Sequence, residues 1–163
     1  MTSFTLGTRG SDLALWQARH VAERLAGRAE VEIVVLQTRG DRIDDIPLTQ
    51  VEGKSFFTAE IEQALLERSV DLAVHSHKDL PTEGPPGLVV AAVPARADAA
   101  ELLLARPEAH DVEAPLLPLR RGVRVGTSSP RRAEQLLTLR PDLVVEPMRG
   151  NVPTRVRLSL IHI

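Results

Sequence analysis

Hydrophobic and polar residues follow two different periods along this chain, and the periods predict strands and helices in alternation. Apolar residues at every second position predict strands near residues 4–8, 31–38, 70–75 and 88–93. Apolar residues three or four positions apart predict helices over about 11–27 and 58–68. Because strands alternate with helices, we expect a mostly parallel sheet covered by helices, which is an α/β fold.

The pattern is interrupted over residues 94–121 and then begins again. The stretch 107–120 contains three prolines, and the charge balance changes after it. Beyond it, the spacing predicts strands at 123–127 and 143–148, a helix at 130–139 and a further helix that begins near Asn151. We therefore expect one α/β domain over residues 1–96, followed by a hinge and the first part of a second α/β domain over 97–163.

The composition is that of an ordinary globular protein, with 43% hydrophobic and 26% charged residues in 163. No apolar run approaches the roughly 20 residues that span a bilayer, and the N-terminus lacks the features of a signal peptide. The absence of Cys excludes a disulfide scaffold and a thiolate metal site. We expect a cytoplasmic, monomeric protein that does not bind membranes.

Charge is distributed unevenly, and Arg outnumbers Lys by 18 to 2. Residues 1–100 carry 10 basic and 15 acidic side chains, whereas residues 101–163 carry 10 Arg and 7 acidic side chains. Either this is the solvated surface of an Arg-rich protein, or the second part binds anions through the planar guanidinium fork. Nucleic acid fits poorly, because the net charge is −2 and the chain has only one Trp and three Phe for stacking.

Three predicted strand-to-helix junctions resemble anion sites. Ser11 follows Arg9 at the first junction, Ser129 precedes Pro130 and two Arg at the second, and Asn151 is the predicted N-cap at the third. Each junction combines free backbone N–H groups, the positive end of a helix dipole and Arg side chains. One such junction is commonly just a capped helix, but three of them favour a polyanionic ligand.

The segment 74–81, Val-His-Ser-His-Lys-Asp-Leu-Pro, brings reactive groups to the end of the predicted strand 70–75. Ligands of open α/β sheets lie at the carboxyl ends of the strands. Asp79 could form a simple salt bridge with Lys78, or it could stabilise a cation on a substrate. Lys78 could bind a carboxylate or form a Schiff base. His75 and His77 alternate along the predicted strand and therefore face opposite sides, so we expect no metal site.

Six motifs, taken in order, resemble the porphobilinogen deaminase (hydroxymethylbilane synthase) family of tetrapyrrole (haem) biosynthesis. They are residues 8–18, 38–41, 53–57, 74–81, 126–132 and 149–155. The resemblance implies periplasmic-binding-protein-like α/β domains with mostly parallel mixed sheets, the second of them truncated here. It implies a transferase that joins four porphobilinogen units with release of ammonia. In the family, the growing pyrrole chain is built on a dipyrromethane cofactor, which a Cys of a third domain holds.

The same resemblance assigns residues to roles. Asp79 matches the catalytic Asp, which stabilises the cationic azafulvene left after deamination. Gln17 matches a polar residue near the cleft, and residues 39–54 match a mobile flap over the site. The positions that match carboxylate-binding residues for cofactor or substrate are Arg9, Ser11, Lys78, Thr127, Ser129, Arg131, Arg132, Arg149 and Arg155.

The chain also departs from the family pattern. Residues 99–102 read Ala-Ala-Glu-Leu in place of Pro-Arg-Asp-Ala, so a polar contact near the hinge is expected to be missing. Ala59 stands where Lys is common, the tail 158–163 is unlike the family, and no Cys is present to attach the cofactor. We expect this chain alone to be an inactive, marginally stable fragment of the enzyme. The alternatives are a non-catalytic anion-binding module of periplasmic-binding type and a transcription-factor effector domain.

Overall fold

The structure is a computed structural model that describes residues 2–42 and 57–162. A three-stranded parallel sheet forms the framework of the first half of the chain. Its strand order is β2-β1-β3, so β1 is central and lies parallel to both neighbours. The elements of this half are β1 (Thr2–Thr8), α1 (Asp12–Leu25), β2 (Ala29–Val35), α2 (Arg39–Arg42), α3 (Ala59–Leu66) and β3 (Leu72–Ala73). The parallel sheet predicted from the alternation of elements is confirmed.

The core of this half lies between the sheet and helices α1 and α3. Leu6, in the central strand β1, is completely buried. Helix α1 buries Ala14 and Ala18, which are four positions apart and small enough for close packing. Helix α3 contributes Ile61, which is also fully buried. Residues Met1–Ala95 form one compact unit around this core.

A second, smaller parallel sheet organises the unit Arg96–Ile163. Its two strands pair in register over three residues, and each is followed by a helix. The elements are β4 (Arg124–Gly126), α4 (Pro130–Leu139), β5 (Val144–Glu146) and α5 (Val152–His162). Leu119 and Leu143 are its buried apolar residues among those described. Asp142 accepts hydrogen bonds from Arg140 Nε (2.7 Å) and from the Gly122 amide (3.0 Å), which ties the α4–β5 turn to the segment before β4.

Four strand predictions need correction. Strand β2 ends at Val35 rather than at residue 38, and β5 ends at Glu146 rather than at residue 148. Residues 88–93 form no strand, and Val89 and Val93 are 88% and 67% exposed. The apolar run has strand propensity, but no described segment pairs with its backbone, and a strand needs such a partner. Strand β3 ends at Ala73 rather than at His75, because only Leu72 and Ala73 pair with β1. The predicted flap, residues 39–54, lies largely outside the described residues.

Among the helices that the structure describes, none combines the length and the apolar character needed to cross a bilayer.

Candidate functional site

Strands β1 and β3 end side by side, and this edge brings two of the predicted motifs together. Leu6 pairs with Leu72 and Gly7 with Ala73, so the two strands run in the same direction and stop at the same level. The Val74 amide continues the contact by donating to the Gly7 carbonyl at 3.4 Å. The residues that follow Thr8 and those that follow Ala73 therefore lie at one carboxyl edge, where α/β proteins bind ligands.

The β1–α1 junction has the cap that the sequence predicts. The Ser11 hydroxyl accepts a hydrogen bond from the Ala14 amide at 3.3 Å, which satisfies one of the free N–H groups of the helix. Thr8 is fully buried and donates its hydroxyl proton to the Ala14 carbonyl at 3.2 Å. These two contacts fix the turn on both sides of Arg9, so the junction is held rigidly.

Arg9 lies over the ring of Phe57, with its guanidinium carbon 4.2 Å from the ring centroid. This distance is well within the range of a cation–π interaction, which holds the charge while the edges of the guanidinium can bind anions. Gly40 allows the aromatic ring to take this position, because a Cβ at residue 40 would overlap it. The first junction therefore presents a positioned cation at the sheet edge.

The segment after β3 turns at once into a 3-10 helix over His77–Asp79. The Asp79 amide donates to the Ser76 carbonyl at 2.9 Å, and the Leu80 amide donates to the His77 carbonyl at 3.2 Å. The turn places Lys78 in solvent and leaves the Asp79 side chain half-buried. The prediction that His75 and His77 alternate along a strand is therefore wrong, because the strand ends at Ala73, two residues before His75.

Gln17 holds this turn from helix α1, and its partner Ser76 is a contact that sequence reasoning missed. Gln17 Nε2 lies 3.1 Å from Ser76 Oγ, and the same hydroxyl lies 3.3 Å from Gln17 Oε1. The two residues are 59 positions apart, so no local pattern could have paired them. Their contact connects helix α1 directly to the turn that carries Lys78 and Asp79.

The pKa of His75 depends on burial and on the charged groups at this edge. Burial lowers its pKa below 6.5, the carboxylates of Glu62 and Asp79 act in the opposite direction, and the Arg9 guanidinium adds to the lowering. Its Nε2 is buried and has no hydrogen-bond partner among the described residues. The imidazole is therefore neutral at pH 7. Because the charges of Arg9 and Asp79 both act on it, these two predicted site residues lie in one neighbourhood.

The second unit has a similar edge at the ends of β4 and β5. Ser129 caps helix α4 by accepting from the Arg132 amide at 3.4 Å, and its own amide donates to Thr127 Oγ1 at 3.2 Å. The Ser128 hydroxyl donates to the Met148 carbonyl and accepts from the Met148 amide. The loop after β4 is therefore tied to the loop after β5, and Thr127 and Ser129 lie beside the residues that follow β5.

Asn151 is the third predicted cap, and the structure confirms it. Asn151 Oδ1 accepts from the Thr154 amide at 3.0 Å. Gly150, with φ of +107°, makes the turn, and Arg155 Nε donates to its carbonyl at 2.7 Å. Arg149 and Arg155 thus lie on either side of a capped helix start, as the pattern predicted.

Arg131 and Arg132 already hold a carboxylate in the structure, that of Glu101. Arg131 Nη2 lies 2.5 Å from Glu101 Oε1, and Arg132 Nη2 lies 2.6 Å from Glu101 Oε2. The two guanidinium groups lower the pKa of Glu101 to about 2. Glu101 thus supplies polar contacts in the region where the departure from the family pattern led us to expect one to be missing.

The predicted site residues therefore fall into two groups, one in each unit. Arg9, Ser11, Lys78 and Asp79 lie at the edge formed by β1 and β3, and the remaining six lie at the ends of β4 and β5 or in the first turns of the helices that follow. Both groups combine cations with helix N-termini, an arrangement suited to carboxylate or phosphate. Of the predicted residues themselves, Asp79 in the first group is the one carboxylate, and it can accept N–H hydrogen bonds or stabilise positive charge.

Comparison with known proteins identifies what the chain is similar to. Residues 4–159 match the model of a family described as porphobilinogen deaminase, dipyromethane cofactor binding domain. The porphobilinogen deaminase of Nitratidesulfovibrio vulgaris (Miyazaki F) is 51% identical over 160 residues, which are 96% of this chain and 49% of that protein. Those of Syntrophomonas wolfei and Brevibacillus brevis are 49% and 44% identical over 160 residues, covering 96% of this chain and 51% and 50% of their own. The chain spans about half the length of the curated relatives it matches.

Proposed function

Because the chain belongs to the porphobilinogen deaminase family, we propose that it is the part of a hydroxymethylbilane synthase that binds and extends the growing pyrrole chain. The family has a periplasmic-binding-protein-like fold, which agrees with the α/β fold and the parallel sheets predicted from the sequence. On this proposal the protein is a transferase that condenses porphobilinogen units and releases one ammonia for each. The two units Met1–Ala95 and Arg96–Ile163 would be the first domain and part of the second.

The observation that carries the proposal is the shared edge of β1 and β3: Arg9 follows β1, Lys78 and Asp79 follow β3, and the charges of Arg9 and Asp79 both act on His75. Porphobilinogen bears an acetate, a propionate, a pyrrole N–H and an aminomethyl group. Arg9 and Lys78 supply the cations that bind the two carboxylates. The Asp79 carboxylate accepts the pyrrole N–H and stabilises the positive charge left on the pyrrole methylene when the carbon–nitrogen bond breaks and ammonia leaves.

The residues of the second unit support a site for the pyrroles already joined. Arg131, Arg132, Arg149 and Arg155, with the hydroxyls of Thr127 and Ser129, offer donors for several carboxylates within two adjacent helix starts. This donor set fits the dipyrromethane cofactor, whose rings carry the same acetate and propionate groups. When bound, the cofactor supplies the pyrrole to which the first substrate is joined. The residues described here would hold and orient it through its carboxylates.

The test uses the protein expressed from its complete gene, incubated with porphobilinogen while ammonia release is measured. We expect Asp79→Asn to lower the rate by at least about 100-fold, because a neutral amide cannot stabilise the cation, while porphobilinogen still binds. Asp98→Asn is the matched control, since Asp98 lies in solvent and its carboxylate accepts a hydrogen bond from the nearby Ala100 amide; the rate of this variant should stay within about twofold of wild type.

Two results would contradict this proposal. Full ammonia release by Asp79→Asn would remove Asp79 from the chemistry. Binding of porphobilinogen by the wild-type protein with no ammonia release would leave the alternative, a non-catalytic anion-binding module of periplasmic-binding type.

A further inference from the structure

Glu101 holds two neighbouring arginines with one carboxylate group. Its Oε1 lies 2.5 Å from Arg131 Nη2, and its Oε2 lies 2.6 Å from Arg132 Nη2. Each oxygen thus takes a different guanidinium, in the way that a ligand carboxylate bridging the two residues would. Both arginines lie in the first turn of α4, directly behind the Ser129 cap. The internal carboxylate therefore occupies the anion site that we assign to the second unit.

The segment that carries Glu101 is poorly anchored. Residues 88–106 form no helix or strand, and Leu102, the next residue in the chain, is 89% exposed. The Glu101 side chain itself is 45% exposed, and those of Arg131 and Arg132 are 59% and 46% exposed. Exposed ion pairs of this kind are weak, because water competes for both charges. A ligand carboxylate can therefore reach the two arginines and exchange with Glu101.

We propose that Glu101 is an internal competitor for this anion site: its carboxylate occupies Arg131 and Arg132 until a ligand carboxylate displaces it, and it thereby lowers the affinity of the site. The proposal rests on the proposed function to the extent that these arginines bind ligand carboxylates. Displacement also frees the segment around residue 101, so ligand binding and the position of that segment are linked.

Protonation does not drive this exchange. Hydrogen bonds from Arg132 and Arg131 keep the pKa of Glu101 near 2, so the side chain is ionised throughout the physiological range. The groups that face it are those two arginines, and Arg131 is also bonded to Gln135 Oε1 at 2.9 Å. Only competition by another anion, or added salt, releases Glu101. Titration of Glu101 should therefore add no pH dependence to the affinity between pH 5 and 8, whereas added salt should lower the affinity.

A different role for Glu101, that of orienting the two guanidinium groups for the ligand, predicts the opposite effect of its removal. Glu101→Gln keeps the size and shape of the side chain and removes its charge. If Glu101 competes with the ligand, this variant binds a carboxylate ligand more tightly. If Glu101 orients the arginines, the variant binds it more weakly.

The experiment is calorimetric titration of the chain with citrate at low salt. Citrate tests the anion site without a pyrrole, so its outcome does not depend on ammonia release from porphobilinogen. We expect Glu101→Gln to bind citrate about 3- to 30-fold more tightly than wild type, the range for loss of one or two exposed ion pairs. The control is Glu134→Gln, which lies on helix α4 and changes the net charge of the chain by the same amount. It should change the affinity for citrate by less than about twofold.

Unchanged or weaker binding by Glu101→Gln would overturn the proposal, and so would an equal gain in Glu134→Gln, which would indicate a general charge effect. Arg132→Gln must weaken citrate binding. If it does not, citrate binds elsewhere and does not compete with Glu101 for these arginines. A readout on the wild-type chain avoids any folding defect of the variants: the carboxyl ¹³C resonance of Glu101 should move as citrate is added. A resonance that stays fixed while citrate binds would equally contradict displacement.

Discussion

The Gln17 amide contacts the Ser76 hydroxyl at 3.1 Å across 59 residues of sequence, and it joins helix α1 to the turn that presents Lys78 and Asp79. The contact is partly buried, so the alternative partner for each group, bulk water, is only partly available. Gln17 thus acts on the candidate site through Ser76, and it positions the turn without being one of its charged groups.

Replacing Gln17 by Leu should destabilise the first unit by about 1 kcal/mol, because the Ser76 hydroxyl loses its side-chain partner. The amide resonances of residues 76–79 should also move. Urea unfolding and two-dimensional NMR measure these effects. The control is Gln63→Leu, which removes an exposed bond to Glu67 one turn away on helix α3. A loss of stability in Gln17→Leu no larger than in this control would show that the long-range contact is unimportant.

The pKa of His75 gives a ligand-free measure of the edge at β1 and β3. NMR titration of the imidazole should give a value below 6.5 in the wild-type chain. Asp79→Asn should lower it further, because it removes a carboxylate that favours the imidazolium, whereas Arg9→Gln should raise it. Glu67→Gln, which is not among the groups that act on His75, should leave the value unchanged. Shifts of the opposite sign would mean that Arg9 and Asp79 do not share this neighbourhood.

The same lowered pKa has a consequence for stability. Because the folded chain binds the proton less readily than the unfolded chain, the contribution of neutral His75 is fully present above about pH 6.5. It is lost as the pH falls from there through the folded pKa. His75→Gln should therefore lose less stability than wild type between pH 6.5 and 5, as followed by urea unfolding.

Much of this architecture could be predicted from local sequence signals. Ser11, Ser129 and Asn151 cap the three helices that they were expected to cap, and helix α4 spans the predicted residues 130–139. These signals are local, because a cap bonds an amide only three residues away. Contacts between distant segments left no such trace: Gln17 with Ser76, and Glu101 with two arginines 30 and 31 residues later. The apolar run 88–93 misled the prediction because strand propensity does not reveal whether a partner strand is present.

A partly buried ion pair should make the second unit sensitive to acid. Arg140 Nε lies 2.7 Å from Asp142 Oδ1, and the two side chains are 11% and 20% exposed. Hydrogen bonds from Arg140 and from the Gly122 amide hold the pKa of Asp142 well below its usual range. A lowered pKa stabilises the folded state above the unfolded value, near 4, and that stability is lost as the pH falls through the folded pKa. Asp142→Asn should therefore be less stable than wild type at pH 7, and the difference should shrink below about pH 4.

Urea unfolding of wild type, Arg140→Gln, Asp142→Asn and the double variant at pH 7 and pH 3 gives the coupling energy of this pair. Arg140→Gln should be the more damaging single change, since Arg140 also donates to the carbonyls of Leu117 and Leu119. A coupling that is the same at both pH values, or absent at pH 7, would contradict the assignment.

Gly150 and Gly122 separate two reasons for glycine in the second unit. Both have positive φ, +107° and +71°, but a Cβ at 150 would overlap Thr154, whereas at 122 it would meet open space. Gly122→Ala should cost about 1–2 kcal/mol from backbone conformation alone, and Gly150→Ala should cost more. Thr154→Ser, which removes the nearest methyl group, should recover part of the loss at 150. Equal losses at the two glycines, with no recovery, would argue against the Thr154 contact.

The two hydrogen bonds between Ser128 and Met148 have an entropic consequence for binding. One hydroxyl joins the loop after β4 to the loop after β5, so the two loops have fewer independent conformations before any ligand arrives. A ligand that contacts both loops then loses less conformational entropy on binding, because part of the ordering has been completed during folding. For a flexible polyanion that binds several donors at once, preorganisation of this kind raises affinity without a new contact.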